Sequence, residues 1–358
     1  MTFAANCNPV LIGSLPLTDH EEAMQMIAAS TPEIPLWPQL PKNPKEGMVR
    51  QFLTGFPGLI DEKGRCMVDT TKADFSDKMT FFYEEFLRVE EDPFLLTNSR
   101  FGLGRDSAPG FPVLMRWLND ARLTPLTAKG QETGPVTVGV GVTDQTGKSI
   151  IADDNLRDIL VRLLGMKARW QVVRLKPFTG DNPPLIFIDE PGMVSFGSSG
   201  FAAISEKLVV ETVNEVISAI HKEGGLAGIH ICANGDWGPA LASEADIISF
   251  DAYFYFDNFI LFKDQLCDFL SRGKTLAWGI VPTGDPRVVE KENTESLFTK
   301  WLEQLSVLAS FGFTEKQLMQ QTLIAPSCGT GSLTPRLAAK VLTMTRELSL
   351  LARKKLNP

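Results

Sequence analysis

The feature that most constrains this chain is an alternation. Short β-rich runs are each followed by turn residues and then by a stretch with apolar residues at helical spacing. Eight such runs can be placed: 10–14 (VLIGS), 34–38 (IPLWP), 136–142 (VTVGVGV), 185–189 (LIFID), 228–232 (GIHIC), 247–251 (IISFD), 275–281 (TLAWGIV) and 323–328 (LIAPSC). Most show no polar/apolar alternation, as befits strands buried on both faces of a parallel sheet. The segments 155–164, 201–222, 295–311 and 335–351 carry the helical pattern. Strands alternating with helices predict a parallel sheet with right-handed crossovers. Eight units predict an α/β fold of one domain, 1–358, closed as a single (β/α)8 TIM barrel. An open doubly wound sheet is the alternative.

One stretch interrupts the pattern. Residues 40–133 hold only weak strand candidates, such as 94–96, beside Gly/Pro-rich segments such as 102–112 (GLGRDSAPGFP). This reads as a long insertion between the second and third strands, with a helix over 75–89, and as a candidate lid or homodimer surface. No GxxxxGK[ST] phosphate loop is present, and the GLG at 102–104 lacks the strand–helix frame of a dinucleotide site.

Charge and cysteine usage narrow the function classes. With 35 Lys+Arg against 43 Asp+Glu, the net charge of −8 argues against a nucleic-acid partner. No run of 18 apolar residues predicts a membrane span. The first residues lack the basic and apolar regions of a secretory signal. Five cysteines, an odd number in a long chain, read as free or metal-bound thiols in a cytoplasmic protein.

The chemistry concentrates at predicted strand ends. His230 and Cys232 lie two apart and so point to the same side of a strand. Cys328 follows the last strand in a Gly-rich turn, and Asp251 follows Phe250 at the end of another. All strand C-termini of a barrel open on one rim, where these four can converge on one cation. Imidazole with two thiolates favours Zn²⁺. Such a centre is neutral, or −1 with a carboxylate, and activates water poorly. It can instead hold a substrate thiol as the nucleophilic thiolate. The bland reading is a pair of buried structural cysteines. Cys7, Cys66 and Cys267 are read that way, His221 as a solvated helix-end residue and His20 as a surface residue beside a cap. Asp189, ending a very apolar strand, is a candidate for binding a substrate ammonium or hydroxyl. Its alternative is a carboxylate paired with a neighbouring Arg or capping a helix. Gly13 lets a ligand carboxylate approach the backbone of Ile12, Gly13 and Ser14, although such a Gly-Ser is more often a plain turn. Trp278 is as readily core as ligand platform.

These pieces in this order resemble the catalytic barrel of cobalamin-independent methionine synthase. They also resemble the related zinc methyltransferases that pass methyl groups from corrinoid proteins to thiols, within the superfamily that includes uroporphyrinogen decarboxylase. The resemblance runs from IGSLP at 12–16 through TGPVT at 133–137, IDEP at 188–191, HIC at 230–232 and ISFD at 248–251 to PSCG at 326–329. It implies one zinc held by His230, Cys232, Cys328 and Asp251, the last being usually Glu in the family. It implies a substrate carboxylate on Ile12, Gly13 and Ser14, and a substrate amino group on Asp189. The implied activity is methyl transfer to a small thiol, homocysteine or alternatively coenzyme M. The folate enzymes carry a Trp soon after GPVT and a His after the seventh strand. This chain has neither, which favours a corrinoid donor, delivered by a partner protein, over folate. The rival expectations are a metal-free decarboxylase of the uroporphyrinogen type and a non-catalytic methyl-carrier accessory protein.

Overall fold

The computed structural model describes residues 3–62, 65–120, 125–195 and 204–357. Its strands are β1 (Leu59–Glu62), β2 (Arg65–Val68), β3 (Lys129–Thr133), β4 (Thr143–Asp144), β5 (Leu185–Asp189), β6 (Leu226–Ile231), β7 (Ile247–Phe250), β8 (Thr275–Val281) and β9 (Thr322–Pro326). The helices are α1 (His20–Ser30), α2 (Arg50–Leu53), α3 (Phe75–Glu91), α4 (Gly110–Asp120), α5 (Pro135–Gly141), α6 (Asp154–Leu175) and α7 (Glu206–Lys222). They continue with α8 (Gly238–Ala242), α9 (Ala252–Phe259), α10 (Lys263–Ser271), α11 (Pro286–Lys291), α12 (Thr294–Ala309), α13 (Glu315–Gln320) and α14 (Pro335–Leu356). The first three residues of the helix predicted over 201–222 lie outside the described residues.

The fold is mixed α/β around a parallel sheet of six strands, ordered β3-β5-β6-β7-β8-β9. Successive side chains explain why these strands lack polar alternation. Leu185, Phe187, Ile247, Ala277, Leu323 and Ala325 pack into one apolar cluster, while their neighbours Ile186, Ile188, Ile248 and Ile324 join the larger core. Both faces are dry, so both must be apolar.

The strand expectations need four corrections. The runs 10–14 and 34–38 are not ladder strands. They touch the sheet through single bridges, Pro9 to Ile324 on β9 and Leu36 to Lys129 on β3, and touch each other at Ser14 and Gln39. The run 136–142 is helix α5 rather than a strand. The Glu190 carboxylate accepts hydrogen bonds from the amides of Val136 (2.9 Å) and Thr137 (2.8 Å) and from the Thr137 hydroxyl (2.6 Å), anchoring the first turn. A tertiary contact therefore overrides the β propensity of alternating valines. The strand that occupies the third position is β3, Lys-Gly-Gln-Glu-Thr, whose polar side chains are wholly buried. Finally, 94–96 belongs to a 3-10 helix.

The insertion consequently ends before residue 129. Within it the hairpin β1–β2 pairs antiparallel, and β4 adds to β2 to make a separate three-stranded sheet. No helix among the described residues is long and apolar enough to cross a membrane.

Candidate metal centre and its pocket

His230 is the penultimate residue of β6 and Cys232 lies one residue past its end, so both project from the same face. Cys328 lies two residues past β9, in a turn pinned to the neighbouring strand: Ser327 N donates to Val281 O (2.8 Å), and Thr283 N donates to Ser327 Oγ (3.1 Å). The ligand atoms of His230, Cys232 and Cys328 all lie within 4.8 Å of one another, although the last two are 96 positions apart in the chain.

The imidazole is set for coordination. His230 is 3 % exposed, its Nδ1 lies 2.9 Å from Ser249 Oγ on β7, and its Nε2 is buried without a partner. A buried nitrogen left bare costs free energy unless something occupies it. With the proton on Nδ1 donated to Ser249, Nε2 presents its lone pair to the two sulfurs, the second-shell arrangement of a metal-bound histidine. A soft ion fits this donor set.

Two thiols this close do not titrate alike. The hydrogen bond from Cys328 holds the Cys232 thiol down at about 4, against burial and with help from His230. The same shared hydrogen bond, together with burial, pushes Cys328 well above the ordinary thiol value. The pair therefore shares a proton unequally, with Cys232 the more acidic sulfur.

Asp251 lies outside the three-ligand group. It follows β7 and caps α9, its Oδ1 accepting from Phe254 N (2.9 Å), while burial raises its carboxyl to about 6.

Asp189 sits one strand from the cluster, in register between Thr133 on β3 and His230 on β6. It is 8 % exposed, its Oδ1 has no partner, and burial raises its carboxyl to about 6. No arginine pairs with it and it caps no helix among the described residues. Glu190, its neighbour, is the residue consumed structurally, at the start of α5.

The Ile12–Gly13–Ser14 segment lies beside Cys328. It shares a crevice of about 10 Å³ with Cys328, Gly329 and Thr330. That is room for about one water, so any larger ligand needs these walls to part. Gly13 has φ +154°, which favours glycine, and a Cβ there would stand 2.6 Å from Gln39 Oε1, so a larger residue would push the Gln39 and Gln131 side chains aside.

Three residues were missed from sequence. Ser249 was findable, because it shares a strand face with Asp251 two positions on. Lys129 and Glu190 were not, since each acts on a segment remote in the chain. Trp278 proves to be core: it is 0 % exposed, with Nε1 donating to Gln304 Oε1 (2.7 Å). Cys7 is buried and donates to Met319 O. His221 pairs with Asp246 at a helix end (2.7 Å). His20 is more enclosed than expected, its Nε2 2.9 Å from the buried Glu46 carboxylate.

Comparison with known proteins adds the following. No family model and no curated protein matches the sequence. Among solved structures, the chain aligns with a protein described as a vitamin-B12-independent methionine synthase from Listeria monocytogenes. The alignment covers 100% of both chains, with a TM-score of 0.50 at 12% identity. A B12-independent methionine synthase from Shewanella, solved in complex with selenomethionine, aligns over 68% of this chain and 67% of its own, with a TM-score of 0.43 at 15% identity. The Listeria alignment establishes a shared fold.

Proposed function

We propose that this protein is a zinc-dependent methyltransferase that moves a methyl group onto a small thiol, with homocysteine as the acceptor. The observation that carries the reading is the His230/Cys232/Cys328 cluster, with its bare Nε2, whose Cys328 shares a crevice with the Ile12–Ser14 backbone. In this reading His230, Cys232 and Cys328 hold the ion, and Asp251, as a helix cap, leaves the fourth position to the substrate sulfur. Three protein ligands with one open position are the signature of a working rather than a structural zinc. Zinc bound there would lower the pKa of an incoming thiol and present it as a thiolate.

The remaining steps belong to the chain's own groups. The Gly13 and Ser14 amides receive the acceptor's carboxylate, and the unpartnered Asp189 Oδ1 receives its ammonium. The buried Asp189 carboxyl takes up that ammonium as its counterion, which offsets the burial that raises its pKa. The dry strand faces around the cluster exclude water that would compete with the thiolate for the methyl group.

We read the single bridges of Pro9, Ser14 and Leu36 as closing the six-stranded ladder into one (β/α)8 barrel over the whole chain, which puts every site residue on one rim. The donor is inferred to be a methyl-corrinoid, carried by a partner protein. The segment after Thr137 is Val-Gly-Val-Gly-Val, which offers no aromatic face for a pterin, and no histidine follows residue 230 to protonate a departing folate.

The test is a methyl-transfer assay with methylcobalamin and methyltetrahydrofolate, each against homocysteine and coenzyme M, on protein purified with zinc. One zinc per chain and transfer from methylcobalamin to homocysteine support the reading. Protein that stays metal-free with zinc supplied overturns it.

A further inference from the structure

The backbone at 12–14 is held in an unusual way. All three carbonyls are taken by the protein: Ile12 O accepts from Lys129 Nζ (2.7 Å), Gly13 O from Gln39 N (3.1 Å), and Ser14 O from Thr330 N (2.9 Å) and Thr330 Oγ1 (3.0 Å). Among the described residues, the amides of Gly13 and Ser14 donate to nothing. A trans peptide is planar, so its N–H points opposite to the C=O that precedes it. Whatever fixes the Ile12 carbonyl therefore also aims the Gly13 amide. Opposite the Ser14 amide lies Gly329, where an ideal Cβ would already stand 3.5 Å from that nitrogen and 2.1 Å from Ser14 Oγ.

The charged anchor among these is Lys129. It lies on β3, 117 residues along the chain from Ile12, and is wholly buried. Its Nζ also donates to Gln131 Oε1 (3.3 Å) and rests 4.5 Å from the centre of the Phe187 ring. A buried lysine is costly unless its ammonium is solvated by the protein. Burial draws its pKa down to about 7, with Asp189 opposing.

We propose that Lys129 is the positioning residue of the carboxylate seat. Its ammonium turns the Ile12 carbonyl away from the crevice, aims the Gly13 amide at the ligand and places positive charge behind it, so the site selects thiols that carry a carboxylate. This rests on the thiol-acceptor reading above and assigns a new residue to it.

The experiment uses the full chain loaded with Co²⁺, whose visible absorption reports thiol binding without turnover. Wild type, Lys129→Met and Lys129→Gln are titrated with L-homocysteine, 4-mercaptobutanoate (no ammonium) and 3-aminopropanethiol (no carboxylate). Lys129→Met is expected to weaken the two carboxylates ~10–100-fold and the amine under ~3-fold, at unchanged cobalt stoichiometry. Lys129→Gln keeps a donor without charge, is expected to fall between, and serves if the methionine variant does not fold. Equal weakening of all three thiols, or of none, overturns the proposal. Amide exchange at Leu15, bonded to Gln39 O, is the independent arm: it should quicken ~10-fold or more in the methionine variant, and an unchanged rate overturns the tether. If wild type takes up no thiol, the acceptor reading fails, and this exchange arm alone decides whether Lys129 holds the turn.

Discussion

Two polar regions share the parallel sheet, and they are built on opposite terms. At the ends of β6 and β9, His230, Cys232 and Cys328 converge with a nitrogen left bare and one thiol, Cys232, held low. Around β3 and β5, Lys129, Glu190 and Gln131 are engaged by backbone and side chains: Lys129 by Ile12 and Gln131, Glu190 by α5, Gln131 by Trp37 O. The first region has soft atoms aimed at one point, and the second has hard charges spent on positioning the chain. Asp189 stands between them in register, with one oxygen unspent. The comparison teaches that a bare polar atom in a dry interior marks a candidate site only where other unspent ligand atoms converge on it.

The largest expected effect breaks the first region. Cys328→Ser should abolish stoichiometric zinc and lower methyl transfer by ~10³-fold or more, checked by elemental analysis beside the assay. If zinc stays at one equivalent, the contrast between bare and spent groups is lost.

The second prediction concerns Glu190, whose carboxyl burial raises from 4.5 to about 7. A folded pKa above the unfolded one means that folding favours the protonated acid. Its contribution is full below about 4.5 and is lost as pH rises through 7. Glu190→Gln keeps an acceptor for the Val136 or Thr137 amide and removes that titration. Urea melts between pH 4.5 and 7.5 should show a flatter decline, by about 3 kcal/mol at most. An unchanged slope would show that the carboxylate hydrogen bonds already compensate the burial.

The third sharpens the comparison at the outer face of β3. Glu132 is buried with both oxygens unpartnered, and its carboxyl is pushed well above the ordinary range by burial, with Lys167 opposing. Lys167 is buried as well, reaching Gly102 O at 3.4 Å. Unlike His230, Glu132 belongs to no cluster of metal-ligating side chains among the described residues, so its lack reads as an energetic cost rather than a site. Glu132→Leu with Lys167→Met should stabilise the fold by about 1–4 kcal/mol, whereas Lys167→Met alone should destabilise it. Denaturant midpoints of both variants decide this, and a destabilised double variant would assign the pair a role.

The smallest effect is expected from Ser249→Ala. Freeing Nδ1 should weaken zinc binding ~10–100-fold without unfolding the protein, as read by chelator competition.

Much of the site was legible because its chemistry is local. HIC, IDEP and PSCG each carry their residues at strand ends, and 185–189 and 275–281 are strands at the residues where the apolar runs place them. The third strand was illegible because hydrophobicity is the signal that locates strands, and Lys-Gly-Gln-Glu-Thr is buried by hydrogen bonds and charge instead. Its apolar neighbour 136–142 drew the assignment, yet became a helix once Glu190 claimed its amides.

The sequence by itself therefore determined the α/β alternation, the apolar faces of β5 to β9 and the choice of His230 and Cys232 as candidate soft ligands, since each follows from side chains a few positions apart. Only the tertiary structure decided that Cys328 meets Cys232, that Asp251 caps a helix and that Lys129 reaches Ile12. These depend on strand register and on the direction of single hydrogen bonds, which come from packing the whole chain and leave no periodic trace along it.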